Sequence, residues 1–268
     1  MMKNRSSLGF VVAAALLLAF RISSPAQRAE TGFLDRVVLV SGNEYRYQVY
    51  VPRLFKRSIK WPVIVALHGG GEYGSDGLRQ TNVGLGPAIR RNPERFPAIV
   101  IFPQAMADGT PGWQLDGGKA AMAALDKTLK EFNGDPKRVI LTGYSAGGNG
   151  TWFLASRHPN RIAAIVPVCA FVSEFRGRST PVLYPALALG TELHTEIAKK
   201  VAGLPIWMFH GARDDVVLPD ESRKMHEALK KLGADVRYTE LPNANHNAWD
   251  PAYGNKDLIE WMLKQRRP

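Results

Sequence analysis

Arg138-Val139-Ile140-Leu141-Thr142-Gly143-Tyr144-Ser145-Ala146-Gly147-Gly148-Asn149-Gly150-Thr151-Trp152 is the stretch that organises this chain. Its first five residues form a short β-branched apolar run, the pattern of a buried strand. From Gly147 to Arg157 the chain carries Trp152, Phe153 and Ala155 and ends at His158-Pro159, which suits a helix stopped by its proline. Between the two, Gly143-Tyr144-Ser145-Ala146-Gly147 has the Gly-x-Ser-x-Gly form that displays a serine on a sharp strand-to-helix turn. Glycines at its edges let the backbone bend that tightly. A serine hydroxyl is a poor nucleophile near neutral pH. It attacks a carbonyl only when a base removes its proton and nearby donors hold the developing oxyanion. Ser145 therefore predicts partners elsewhere in the chain.

Working outward, Pro62-Val63-Ile64-Val65-Ala66-Leu67 is an unbroken apolar run, the mark of a strand covered on both faces. Similar runs stand at Ala98 to Phe102, Val139 to Leu141, Ala164 to Val168 and Ile206 to Phe209. Val236 to Glu240 is more polar and suits a sheet edge. Val37 to Val40 and Tyr45 to Val51 flank Ser41-Gly42-Asn43-Glu44 and read as an opening hairpin. Helices are expected at Pro87 to Arg91, Lys119 to Phe132, Gly148 to Arg157, Asp220 to Leu232 and Asn255 to Gln265. Asp220 is the expected N-cap of the fourth, and Gly233 its C-cap. Strands alternating with helices imply an α/β domain, a mostly parallel central sheet with helices on both faces. No low-complexity linker divides residues 27–268, so one domain is expected. Residues 171–203 break the alternation and read as a cap or lid segment, or as a surface excursion.

The strand, Gly-x-Ser-x-Gly turn and helix resemble those of α/β-hydrolases, a resemblance that implies an acid and then a base following the serine in chain order. His246 lies in Pro242-Asn243-Ala244-Asn245-His246-Asn247, a polar loop after the last strand candidate, where the base belongs. His158 lies one helix beyond the serine, His194 in the irregular segment and His226 within a helix. His210 ends a strand, where a structural role is common. The acid is read from His210-Gly211-Ala212-Arg213-Asp214-Asp215, just past a strand end. Asp214 is favoured by its spacing and Asp215 competes with it. For the oxyanion, the Ala146 amide is expected to act with one from His68-Gly69-Gly70-Gly71-Glu72, directly after the Pro62–Leu67 run. Gly70 is the first choice and Gly71 the reserve, because three glycines let the backbone turn its amides toward a substrate.

Other chemistries find no support. Gly84-Leu85-Gly86-Pro87 lacks the third glycine of a dinucleotide loop and follows no strand, and there is no Gly-x-x-x-x-Gly-Lys phosphate loop. The histidines and acids show no metal-ligand spacing. Neither cofactor nor metal is expected. Lys3 and Arg5 precede an uncharged run from Leu8 to Phe20 and then Ser24-Pro25-Ala26, so residues 1–26 read as a signal peptide. That run is short for a membrane span, so no stable membrane insertion of the mature chain is expected, and the protein is placed as secreted or periplasmic. Cys169 is the single cysteine, which excludes an intramolecular disulfide and leaves stability to the core. The net charge of +11 falls to +8 without Lys3, Arg5 and Arg21. The basic residues are scattered in pairs at expected helix ends, so they read as dipole partners rather than a nucleic-acid surface.

The ordered set His68-Gly69-Gly70-Gly71, Gly143-Tyr144-Ser145-Ala146-Gly147-Gly148, His210-Gly211-Ala212-Arg213-Asp214 and Asn245-His246 resembles the α/β-hydrolase superfamily. Within it the chain is similar to the secreted group of polyhydroxybutyrate-depolymerase-like and feruloyl-esterase-like proteins, many of them labelled peptidases related to prolyl oligopeptidase. The likeness covers roughly residues 35–266 and extends to Arg237-Tyr238-Thr239-Glu240-Leu241-Pro242 and Asn247-Ala248-Trp249-Asp250. It implies a single-domain α/β-hydrolase fold and a serine esterase with Ser145, Asp214 and His246 as its triad. Carbohydrate-linked feruloyl or acetyl esters, or a polyester, are the substrates it implies. Trp113, Trp249 and Tyr253 are expected either to line a sugar or aromatic acyl pocket or to pack on the sheet. A peptidase and a non-catalytic carbohydrate-binding protein are the competing readings.

Overall fold

Each apolar run expected as a strand becomes one in a single sheet of the computed structural model, which describes residues 30–106, 112–172, 174–175, 178–179 and 192–268. In chain order the described elements begin with β1 (Gly32–Val40), β2 (Asn43–Val51), β3 (Trp61–Leu67), α1 (Leu85–Arg91), β4 (Ile99–Pro103), α2 (Asp116–Glu131) and β5 (Gly134–Tyr144). They continue with α3 (Ala146–Arg157), β6 (Ala164–Val168), β7 (Glu174–Phe175), β8 (Arg178–Ser179), α4 (Leu193–Val201) and β9 (Ile206–Gly211). The last are α5 (Asp220–Lys231), β10 (Val236–Leu241), α6 (Trp249–Gly254) and α7 (Lys256–Lys264). Eight strands form the sheet in the order β1-β2-β4-β3-β5-β6-β9-β10, with β7 and β8 as a separate pair. β1, β2 and β4 meet antiparallel, and from β4 to β10 every neighbour is parallel. This is the mostly parallel α/β sheet that the alternation predicts.

The central position of β3 explains its sequence, since all its residues are buried. Val63, Val65 and Leu67 join a core layer with Leu125 of α2, Trp152 of α3, Ile197 of α4 and Met225 of α5. Ile64 and Ala66 face the other layer, with Ile89 of α1, Tyr253 of α6 and Leu258 of α7. The two-residue period of a strand thus sends alternate side chains to helices on opposite faces. The more polar Val236 to Leu241 run forms β10 at the edge, as expected.

Several boundaries differ from expectation. The opening turn shortens to Ser41-Gly42, with φ of 50° and 82°, because Asn43 and Glu44 already pair with Val40 and Leu39. Positive φ at both central residues is the mirror-image turn that matches strand twist. Asp220 is the first residue of α5 rather than its cap; Pro219 holds the cap position, and Asp220 accepts instead from Arg223 at 2.8 Å. Gly233 does close that helix, at φ +69°. The last part of the irregular segment is helix α4, which restores the crossover between β6 and β9. Its Leu193, Ile197 and Val201 have helical spacing, but no capping side chain marks its start. Residues 1–26 and most of the remaining candidate lid, 173–191, lie outside the described residues. No helix among the described residues is long and apolar enough to cross a membrane.

The sharp turn after β5 is closely packed on both sides. Ser145 has φ 53°, a left-handed conformation that costs a side-chain-bearing residue about 1–3 kcal/mol unless its surroundings hold it. They do so here: Ser145 N–H donates to Val168 O at 3.0 Å, and Asn149 N–H donates to Ser145 O at 3.0 Å. A Cβ on Gly147 would lie 2.2 Å from Leu67 O and 2.5 Å from His68 O, so α3 starts in backbone contact with the end of β3. A Cβ on Gly143 would lie 2.3 Å from Gly147 O. Gly147→Ala is therefore expected to cost at least about 3 kcal/mol in urea unfolding. Gly70→Ala, whose Cβ would meet nothing closer than Tyr73 at 3.9 Å, serves as the tolerant control. Equal stabilities for the two variants would refute this account.

Candidate active site

The loops after β9 and β10 converge on the turn at Ser145, at the carboxyl end of the parallel sheet. Ala212 N–H donates to Leu241 O at 2.9 Å and Arg213 N–H to Ala244 O at 3.0 Å, which fastens the acid loop to the histidine loop. Arg213 adds a 3.3 Å bond from its guanidinium to Asn243 Oδ1. Only glycine fits at position 211, since a Cβ there would lie 2.1 Å from Asn245 O. The fastened loops deliver His246 between Asp214 and Ser145. His246 Nε2 is 2.9 Å from Ser145 Oγ, and Nδ1 is 2.8 Å from Asp214 Oδ2. Ser145 is 8% exposed, and the Asp214 side chain has no contact with solvent. Asp215, the competing acid, is exposed. The structure thus brings together Ser145, Asp214 and His246, and leaves His158 at the far end of α3.

A carboxylate without water needs donors in its place. Asp214 Oδ1 accepts from the Val216 and Val217 amides, each at 2.9 Å. Burial by itself would raise the proton affinity of this carboxyl. Hydrogen bonds from His210, His246 and Val217 outweigh burial and hold its pKa well below the usual carboxylate range. Beneath it, Cys169 is wholly buried at φ +39°, and burial pushes its thiol pKa up. Cys169 Sγ, Asp214 and His246 offer atoms within 4.8 Å of one another. The carboxylate and the imidazole already satisfy each other, and the thiol keeps its proton, so the set reads as an acid–base group rather than a ligand set. Cys169 itself is a small buried residue of the core.

The glycine loop differs from its sequence reading in the reason for its glycines. Gly69 has φ −80°, and neither Gly70 nor Gly71 has positive φ. What demands a glycine is space at Gly69, where a Cβ would come within 2.7 Å of the Tyr144 ring. Gly84 faces the same ring at 2.9 Å, so Tyr144 is wedged between the two. Its hydroxyl donates to Glu72 Oε2 at 2.8 Å, which ties the loop to the turn that bears Ser145. Gln104, 2% exposed, holds the far side: Nε2 donates to Glu72 O at 3.1 Å and to Asp76 Oδ1 at 3.0 Å, while Oε1 accepts from Gly77 N–H at 2.7 Å. Tyr144 and Gln104 carry no catalytic signature, and the sequence offered no signal for either. Gly70 and Gly71 are exposed at the turn the loop makes, and Ala146 opens α3, where a first-turn amide has no partner in the helix ladder.

The three aromatic candidates separate. Trp113 is 1% exposed and lies in the core, not on a pocket wall. Its Nε1 donates to His68 O at 3.2 Å, and its ring fills the space over Gly150, so it supports the glycine loop from below. Tyr253 is also buried, its hydroxyl 2.9 Å from Thr142 Oγ1. Trp249 alone is half-buried beside the histidine, its ring 5.5 Å from His246 and 4.7 Å from Tyr144.

His68 sets a pH limit on this arrangement. Its Nε2 accepts the Ala105 N–H at 3.0 Å, so the proton sits on Nδ1, which donates to Gly69 O at 2.7 Å. Burial lowers its pKa to about 4, against a smaller opposing effect of the Gly69 bond. The unfolded chain therefore takes up a proton at this residue before the folded one does. The stability His68 provides is complete above about pH 6.5 and is lost as pH falls toward 4, by up to about 3 kcal/mol. Urea unfolding at pH 7 and pH 4.5 checks this: His68→Gln should lose less stability between the two than the unsubstituted protein, and equal losses would contradict it.

Known proteins with related chains share this fold. The chain is 28% identical over 226 residues to an uncharacterized secreted protein of Arthroderma benhamiae, covering 76% of this chain and 23% of that protein. It is 30% identical over 165 residues to a bifunctional acetylxylan esterase/xylanase of Neocallimastix patriciarum, covering 57% of this chain and 21% of that protein. This chain therefore spans about a fifth to a quarter of the length of those curated relatives. The crystal structure of a thermostable esterase superposes with a TM-score of 0.72 at 28% identity, over 88% of this chain and 63% of that one. The α/β-hydrolase architecture implied by the sequence motifs is the architecture observed. The model of the dienelactone hydrolase family matches residues 112–252, more than half of the chain, from Trp113 through Ser145, Asp214 and His246, and the protein belongs to that family.

Proposed function

We propose that this protein is a serine hydrolase of carboxylic esters. The observation that carries the reading is the unbroken chain Ser145 Oγ to His246 Nε2 and His246 Nδ1 to Asp214 Oδ2, with Ser145 held on a left-handed turn. His246 takes the Ser145 proton as Oγ attacks the ester carbonyl. The amides of Ala146 and Gly70 receive the oxyanion. Collapse expels the alcohol, which takes the proton from His246, and leaves an acyl group on Ser145. Water, deprotonated by His246, then attacks the acyl-enzyme and frees the acid. Asp214 stays ionised throughout and stabilises the imidazolium. The similarity to a thermostable esterase and to an acetylxylan esterase/xylanase supports this reaction class.

Carbohydrate-linked acetyl or feruloyl esters are the substrates we favour, with polyesters as the other candidate class. Trp249, half-buried beside His246 and backed by the buried Tyr144 ring, offers an aromatic face suited to a planar acyl group or a sugar face. Export follows from the reading of residues 1–26 as a signal peptide, with residues 27–268 as the catalytic domain, and a relative is described as secreted.

Two measurements test the proposal. Ser145→Ala should lower turnover of p-nitrophenyl acetate by roughly four orders of magnitude or more, and a variant with full activity would overturn it. Methyl ferulate, acetylated xylan and a polyester film set the acyl and alcohol preference, and aminoacyl p-nitroanilides test amide cleavage. Anilide turnover faster than ester turnover would replace the esterase by a peptidase. Trp249→Ala should raise KM for methyl ferulate more than for p-nitrophenyl acetate, since the larger planar acyl group loses more contact.

A further inference from the structure

Asp214 Oδ2 stands between two histidines. His246 Nδ1 lies 2.8 Å from it, and His210 Nε2 lies 3.2 Å from it. His210 Nδ1 is in turn 2.7 Å from Ser222 Oγ on α5. A second serine–histidine pair therefore leans on the same carboxylate oxygen as Ser145 and His246. It is closed to substrate, for His210 is 0% and Ser222 3% exposed.

The partners define where its proton sits. His210 Nε2 is 2.9 Å from Val217 O, and a carbonyl oxygen only accepts, so Nε2 carries hydrogen and donates to Val217 O, with Asp214 Oδ2 3.2 Å from the same nitrogen. Nδ1 then accepts the Ser222 hydroxyl proton. With both ring nitrogens satisfied the ring is held in place, and its Nε2–H stays beside the carboxylate.

We propose that His210, locked by Ser222, is a positioning residue for Asp214 and, through it, for His246; the inference rests on the hydrolase reading above. His246 gains and loses a proton on Nε2 in each half of the reaction, so its bond to Oδ2 strengthens and relaxes every time. A carboxylate anchored at that oxygen by the base alone would follow the ring. A fixed donor on the opposite side keeps Oδ2 in place. It also draws on the electron density that would otherwise let Asp214 take the proton from His246. Displacement of a reacting group by about 1 Å costs on the order of 100-fold in rate.

The test uses p-nitrophenyl acetate with purified variants of the whole chain. His210→Leu removes the donor and keeps the volume, and His210→Gln returns an N–H near the Nε2 position. His210→Leu is expected to lower kcat about 10- to 100-fold with KM within about twofold. His210→Gln should recover most of that loss. A folded His210→Leu with kcat near that of the unsubstituted enzyme overturns the proposal. So does His210→Gln as slow as His210→Leu, because packing rather than the hydrogen bond would then explain the loss. If His210→Leu does not fold, Ser222→Ala decides: a reduced kcat at constant KM supports the lock, and an unchanged kcat overturns it. Ser145→Ala run in parallel separates the two readings, since activity surviving that change removes the triad itself rather than the role of His210.

Discussion

A carboxylate sealed from water is tolerable only where donors replace the solvent on every side, and much of the architecture around Asp214 follows from that requirement. Two amides of its own loop occupy Oδ1, and two histidines share Oδ2. To supply them, β9 must end with His210 turned inward, its loop must fold back over Val217, and the loop after β10 must cross directly above Gly211. The motif His210-Gly211-Ala212-Arg213-Asp214 is thereby accounted for almost residue by residue. His210 braces the acid, Gly211 leaves room for the histidine loop, and the amides of Ala212 and Arg213 hold that loop down.

A second constraint acts at the turn bearing Ser145. Its left-handed backbone is stable because glycines on either side admit β3 and α3 to contact, and because Val168 O receives the serine amide. The turn is tied sideways to the glycine loop through Tyr144. That ring sits between Gly69 and Gly84 and reaches Glu72 with its hydroxyl. Ser145 and the proposed oxyanion donors therefore rest on one connected unit, the arrangement that electrostatic stabilisation of a transition state requires. His68 and Gln104 extend the unit backward, each with its polar atoms bonded to backbone of the loop or of its neighbours.

Much of this was legible in the chain. Unbroken apolar runs at Pro62–Leu67 and Ala164–Val168 mark strands covered on both faces, because a two-sided core leaves no polar position. The order of glycine loop, serine turn, acid and histidine was legible because each stands at the end of a strand. Other features were hidden for physical reasons. Helix α4 lacks a capping side chain, and Asp220 pairs with Arg223 instead of capping α5. Trp113 reads as a binding residue by composition, yet its surroundings are Gly150, His68 and the core. An aromatic side chain has the same composition in a pocket and beneath one, and only burial separates the two.

The sequence by itself determined the α/β class and the residues with chemical potential, Ser145, His246 and an acid at Asp214 or Asp215, since periodicity and local turn chemistry are properties of short segments. The tertiary structure decided between Asp214 and Asp215, sent Trp113 to the core and Trp249 to the rim, and placed His210 and Ser222 behind the acid. Those outcomes depend on contacts between β5, β9, α5 and the loop after β10, between residues 12 to 101 positions apart. Hydrogen bonds of that range are set by how the sheet and its helices pack, and no local pattern encodes them.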